Sequence, residues 1–145
     1  MKQLLLLITL IGSMSMRAKA TDKDIIPFAT IQSFQKKFSN AKEVSWSESR
    51  ELYKADFLLN GQYVSAYFTA DGNFFAAAKK IVSTQLPFLL SAELKEKFAD
   101  YWISDLMEVS TEDGVTYYVT LEDADNRVVL QSFGRSWSNF QKFNK

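Results

Sequence analysis

The chain contains neither histidine nor cysteine. That removes the commonest general base, the commonest metal ligand and the thiol nucleophile together, so neither a Ser-His-Asp triad nor a Cys/His zinc centre can be built. Carboxylates, lysines, hydroxyls and tyrosines are what remain for chemistry. Two suitably spaced acids suffice for a glycosidase, and Asp56 is the best single candidate, with Lys54 one same-face step away on a strand. A surface ion pair is the simpler account of that spacing. The run Glu122-Asp123-Ala124-Asp125-Asn126 concentrates oxygen ligands for calcium. It lacks the glycine and the distal glutamate of a calcium loop and suits an acidic hairpin turn better. Trp46, Trp102 and Trp137 can stack on a sugar, but a core strand, a helix end and a last strand are places where tryptophan packs in a core. The five glycines form no phosphate-binding loop. No catalytic residue, metal site or cofactor is expected, and the chain reads as a non-enzyme.

The elements that must carry these groups show themselves through a repeat. The two prolines of the chain stand sixty positions apart, and each opens the same pattern. Ile26-Pro27-Phe28 leads to Phe34 and Phe38; Leu86-Pro87-Phe88 leads to Leu94 and Phe98. An internal repeat of this kind dictates architecture before any motif does. Pro27 suits the first turn of a helix, where its missing N–H costs nothing. Ile31, Phe34 and Phe38 follow at helical spacing until Ser39-Asn40. Val44 and Trp46 then alternate with polar residues, a turn follows at Ser47 to Arg50, and Tyr53, Ala55, Phe57 and Leu59 alternate in a second strand. Asn60-Gly61 is the strongest hairpin signal of the chain. It leads back into Tyr63 to Thr69, and Asp71-Gly72 turns again into Phe74 to Ala78.

The second half repeats that order. Ser91 is expected as a simple helix N-cap, Leu94 and Phe98 form the buried stripe, and Met107 and Val109 stand where Val44 and Trp46 stood. Asp113-Gly114 is expected to turn the chain into Val115 to Leu121, and Asp125-Asn126 into Val128 and Leu130. Gly134 to Trp137 echoes Asp71 to Phe74. The expected fold is α+β, a tandem repeat of a helix plus a four-stranded antiparallel sheet. Its parts are a signal peptide over 1–20, a first α/β4 repeat over 21–82 and a second over 83–145, the two repeats being either separate units or one continuous domain.

A helix covers one face of a sheet and leaves the other available. Strand parity puts Tyr53, Ala55, Phe57, Val64, Ala66 and Phe68 under the first helix, and Lys54, Asp56, Tyr63, Ser65 and Tyr67 on the outer face. Thr116, Tyr118, Thr120, Val129 and Gln131, with Arg127, take the outer face of the second half. Tyrosines among small hydroxyls have the composition of a binding surface; equally, cross-strand tyrosines stabilise a solvated sheet. The candidate binding residues are therefore Lys54, Asp56, Tyr63, Ser65, Tyr67, Tyr118, Arg127, Val129 and Gln131. The halves differ most where Tyr63, Ser65 and Tyr67 face Arg127, Val129 and Gln131.

The start of the chain reads as a leader. Lys2 gives a positive n-region, Leu4 to Ile11 is apolar except for Thr9, and Ala18-Lys19-Ala20 fits a small-x-small cleavage site. The apolar run is shorter than the roughly 20 residues that span a bilayer, so no retained anchor is expected, and the protein should be periplasmic or secreted after cleavage near Ala20. Cleavage would remove Lys2, Arg17 and Lys19 from 17 basic residues, leaving 14 against 17 acidic. A mildly acidic chain without a wide basic patch is a poor nucleic-acid binder. A protein or peptide partner is the leading expectation, with a small-ligand or carbohydrate binder, or a carboxylate-dependent hydrolase, as alternatives.

Phe38, Ala41, Val44, Trp46, Tyr53-Lys54-Ala55-Asp56-Phe57, Gly61, Ala66-Tyr67-Phe68 and Asp71-Gly72-Asn73-Phe74 together resemble the PepSY-like, beta-lactamase-inhibitory-protein-like family of conjectured bacterial periplasmic proteins. The chain departs from that pattern in having no proline after Phe38 and in placing Phe74 where tryptophan is frequent, while Trp137 holds the equivalent place in the second half. The resemblance implies a tandem α/β4 architecture with a concave sheet surface, as in inhibitors that grip an enzyme. It carries over no inhibited target.

Overall fold

A computed structural model describes residues 25–144; the expected leader and its cleavage near Ala20 lie outside them. The class is α+β, and the described residues form two ten-residue helices and eight strands that neighbour one another in chain order, β1-β2-β3-β4-β5-β6-β7-β8. The chain divides into two compact units, one up to Phe75 and one from Ala76. In β4 (Phe74–Lys80) the later residues pair with β5 (Trp102–Thr111), so Ala77 faces Ser110 and Lys80 faces Met107.

In the first unit α1 (Phe28–Lys37) starts directly after Pro27, whose carbonyl accepts from the N–H of Ile31 at 3.1 Å. Phe38 closes it, its N–H bonded to the Phe34 carbonyl at 2.8 Å. The helix buries Thr30 and Phe34. Phe34 meets Trp46 of β1 (Lys42–Ser49), Phe57 of β2 (Leu52–Leu59) and Phe68 of β3 (Gln62–Phe68) edge-on, at centroid distances of 5.2, 5.0 and 6.2 Å. Such edge-to-face rings gain about 0.5–1.5 kcal/mol per pair beyond their area, so one helical phenylalanine organises the unit. Trp46 is thus a half-buried residue packed against this core.

Two tight hairpins set the strand registers of this unit. Asn60 and Gly61 join β2 to β3 with φ of 51° and 81°, and Leu59 faces Gln62. Positive φ at both positions is what a two-residue loop needs, and Asn-Gly supplies it at least strain. The β1/β2 loop has the same shape at Arg50 and Glu51, with φ of 49° and 69°, between paired Ser49 and Leu52. The turn expected at Ser47 to Arg50 therefore lies later, because β1 runs on to Ser49. A third turn docks the helix. Thr30 Oγ1 donates to the Thr69 carbonyl at 2.9 Å, and Gly72, at φ 81°, lies against the backbone of Ala29.

The second unit is built on an aliphatic core. Leu90 and Leu94 of α2 (Phe88–Lys97) pack with Ile81, Leu86, Leu106, Val119, Leu121, Val128 and Leu130. Ser91, expected as the N-cap, lies inside the helix. Pro87 occupies the cap position, because the helix begins right after the proline as α1 does, and the Pro87 carbonyl accepts from the Ser91 N–H at 3.1 Å. Strand β5 (Trp102–Thr111) is longer than Met107 and Val109 suggested. Trp102, expected at a helix end in the core, begins this strand and is half exposed. The turn expected at Asp113-Gly114 falls at Glu112 and Asp113, since Gly114 already pairs with Thr111 as the first residue of β6 (Gly114–Glu122). Strands β7 (Asn126–Ser132) and β8 (Ser138–Asn144) complete the unit. Trp137 closes it over the helix, its indole N–H donating to the Leu90 carbonyl at 2.9 Å.

Candidate functional site

Alternation along β2 and β3 puts Lys54 opposite Tyr67, Asp56 opposite Ser65 and Leu58 opposite Tyr63. All are on the face away from α1, because the intervening Phe57 and Phe68 carry the contacts to Phe34. Both oxygens of Asp56 are engaged: the Ser65 hydroxyl donates to Oδ1, and Lys54 Nζ lies 2.8 Å from Oδ2. Its pairing partners on either side are Ser45 and Ser65, so no second carboxylate stands opposite it. That is an ion pair with a hydroxyl clamp.

Tyr63 projects into solvent, 72% exposed, whereas Ser65 and Tyr67 are buried at 2% and 1%. The expectation of an open tyrosine face therefore needs correcting at Ser65, Tyr67 and Tyr118. Tyr67 packs with Leu52 and Phe75, which share its face and cover it. Burial, with the Asp56 charge nearby, pushes its hydroxyl up to about 12, so Tyr67 is a neutral donor throughout the physiological range. Its hydroxyl nevertheless has no hydrogen-bond partner.

The second unit repeats that situation with other residues. Tyr118 of β6, 5% exposed, lies between Met107 of β5 and Gln131 of β7 in the strand register. The ring of Phe140 meets it edge-on at 5.8 Å and 87°. Burial pushes the Tyr118 hydroxyl up as well. Among the described residues three buried side-chain atoms have no hydrogen-bond partner within the protein, namely Tyr67 Oη, Tyr118 Oη and Gln131 Oε1. All three belong to the outer faces picked out from strand parity. Val129 is half-buried opposite Thr120, and Arg127, half exposed, lies 3.8 Å from the Glu122 carboxylate.

The acidic loop is closed on itself. Asp123 Oδ1 accepts from the N–H groups of Asp125 and Asn126 at 2.8 and 2.7 Å, and the Asn126 side chain reaches both oxygens at 3.2 Å. The Asp125 N–H first, then Asn126 and the Tyr101 hydroxyl, hold Asp123 below the usual carboxylate range. Among the described residues no group of three or more acids is placed to hold a metal ion, and no helix is long and apolar enough to cross a membrane.

Leu52 could have been found as a cover for Tyr67, because it stands two residues before Lys54 on the same strand. Phe140 could not. A register shift between Val129 and Leu130, which face Gln141 and Asn139, leaves Phe140 between those two partners. No alternation pattern announces that extra residue.

No protein-family model matches the chain, and no curated protein matches it. Solved structures do resemble it. A DUF2874 family protein from Bacteroides ovatus superposes with a TM-score of 0.75 at 16% identity, over 84% of this chain and 89% of that one. A BLIP-like protein from Bacteroides fragilis gives 0.69 at 19% identity, over 80% and 84%. A protein from Bacteroides eggerthii conjectured to be periplasmic gives 0.70 at 16% identity, over 81% and 88%. At these identities the likeness is one of fold.

Proposed function

We propose that this chain is a non-enzymatic, periplasmic or secreted binding module that engages a protein or peptide through the outer faces of its sheets. The observation that carries this reading is the set of three buried, unpartnered polar atoms at Tyr67, Tyr118 and Gln131. Leaving a buried donor or acceptor unpaired costs roughly 1–3 kcal/mol, and such a cost is retained where function requires the group. The clamped Asp56, the absence of histidine and cysteine from the sequence, and the likeness to a BLIP-like protein support binding over catalysis. The leader-like residues 1–20 and the neighbour conjectured to be periplasmic support the compartment. The aligned Pro27 and Pro87 patterns support a duplicated helix-plus-four-strand unit and, with the spaced aromatics, a PepSY-like relationship. Inhibition of a peptidase or other periplasmic enzyme is the form of binding the fold suggests.

The test uses Tyr63, the most exposed tyrosine of the face. Immobilised protein should retain a defined partner from periplasmic extract, and Tyr63→Ala, a change at an exposed side chain, should lose it. Equal retention by both, with no effect on peptidases or beta-lactamases, would refute the proposal. A second reading is a carbohydrate or small-ligand binder, because sugar hydroxyls would also satisfy the unpaired tyrosines. It requires a thermal shift with one member of a saccharide and metabolite panel.

A further inference from the structure

Tyr118 and Gln131 are directly opposed across β6 and β7. One carries a hydroxyl whose proton meets no acceptor of the protein; the other carries a carbonyl oxygen that meets no donor of the protein. They are orphans of opposite kind on one face, and they do not satisfy each other. We infer that Tyr118 and Gln131 form a main-chain reading site, in which a peptide carbonyl accepts from the Tyr118 hydroxyl and a peptide N–H donates to Gln131 Oε1. The inference rests on the outer-face reading above and narrows the partner to a neutral peptide amide.

The surroundings decide between ligand classes. Met107 lies opposite Tyr118 on its other side, the Phe140 ring stands edge-on to it and Val129 is the next outer-face residue of β7. Thr116 and Thr120 flank Tyr118 on its own strand, and Lys80, opposite Met107, and Asp105, opposite Thr120, are paired with each other at 3.1 Å, so an ionic ligand would shed its hydration against charges already engaged, which is costly. A carboxylate would also set its oxygens against Gln131 Oε1, acceptor to acceptor, and an ammonium would leave the Tyr118 proton unmet. An amide offers one donor and one acceptor without net charge, and its hydrogen bonds strengthen as water is excluded. Phe140 is the residue that has to yield for a peptide to enter. It sits at the β7/β8 register shift and is half-buried, so its movement disturbs less of the strand ladder than that of a residue in regular pairing.

Two measurements test this. First, thermal unfolding of Tyr118→Phe without ligand should show an unchanged or raised Tm, since the substitution deletes an unmet hydroxyl. A lowered Tm would mean that a buried water already bridges the pair, and would overturn the inference. Second, N-acetyl-Ala-Ser-Ala-Ser-amide, maltotetraose and acetate are titrated separately while the Gln131 side-chain amide and Tyr118 ring signals are followed by NMR. The blocked peptide should move both signals saturably, about tenfold more weakly in Tyr118→Phe and more tightly in Phe140→Ala; tenfold corresponds to about 1.4 kcal/mol. Shifts with the saccharide or acetate alone, or none with the peptide even in Phe140→Ala, would overturn it. Failure of this site alone is recognised when Tyr63→Ala still abolishes partner retention while the peptide leaves Tyr118 and Gln131 unmoved.

Discussion

Replacing Gly72 with alanine should be among the most damaging single-methyl changes in the first unit, and Gly61→Ala provides its internal control. Both glycines have φ of 81°, so both substitutions force an L-residue into the left-handed region at a cost of about 1–2 kcal/mol. Their surroundings differ. A Cβ on Gly61 meets nothing within 4 Å, whereas one on Gly72 would lie 2.5 Å from the carbonyl oxygen and 2.8 Å from the carbonyl carbon of Ala29. Those are backbone atoms in the first turn of α1, which cannot rotate away as a side chain would. The turn is also held to that helix by the Thr30 hydroxyl on the Thr69 carbonyl, and the Gly72 N–H donates to the same carbonyl at 3.0 Å. Relief therefore requires moving the helix against Trp46, Phe57 and Phe68, and overpacking of this kind costs about 1–3 kcal/mol more. Gly72→Ala should lose about 2–5 kcal/mol in urea denaturation followed by circular dichroism, against about 1–2 for Gly61→Ala. The difference isolates the steric contribution, because the conformational one is common to both. Equal losses within about 0.5 kcal/mol, the usual scatter for such comparisons, would refute the docking of α1 onto the Thr69 to Asn73 turn.

Other outcomes follow from the same structure. Arg50→Asn with Glu51→Gly puts hairpin-compatible residues at two positive φ positions and should raise stability by about 1–2 kcal/mol, measured as a higher urea midpoint; no rise would argue against the two-residue β1/β2 loop. Tyr67→Phe should leave stability at neutral pH unchanged or higher, whereas Ser65→Ala, which removes the hydroxyl on Asp56, should lower it. Because the Tyr67 hydroxyl titrates near 12 when folded against 10.0 ordinarily, the unfolded chain loses its proton first as pH rises. Stability should therefore fall between pH 10 and 12, and Tyr67→Phe should lessen that fall. Asp123 is displaced the other way, below its ordinary value. Its contribution is complete above the unfolded value and is lost as pH falls through the folded one, so Asp123→Asn should flatten the acid limb of the stability profile.

Much of the framework was legible because it is local. Asn60-Gly61 demanded a two-residue hairpin, and its dihedral angles are those of one. The two prolines marked helix starts within a residue. Period-2 alternation placed Phe57 and Phe68 under the helix and Lys54 and Asp56 opposite. The misplaced features, Trp102 in a strand, Ser91 inside a helix and the turn at Arg50-Glu51, lie where local preference is weak. Strand pairing extended β5 and β1 beyond what their own residues advertise.

The candidate site divides along the same line. Which residues share a face follows from the chain alone, since successive side chains of a strand must alternate; Tyr67, Tyr118 and Gln131 were grouped with their outer faces on that ground. Whether that face is wet depends on what lies over it. Leu52 and Phe75 over Tyr67, and Phe140 over Tyr118, are brought there by pairing and by a register shift. The need for glycine at position 72 has the same two origins. A turn asked for it locally, but only the approach of Ala29 makes its missing side chain a requirement. The order of the elements and the alternation of their side chains follow from neighbours along the chain, whereas the ends of β1 and β5 follow from pairing. Burial, and with it the three polar atoms left without partners, was decided by tertiary structure, because it depends on residues far apart in sequence meeting in space.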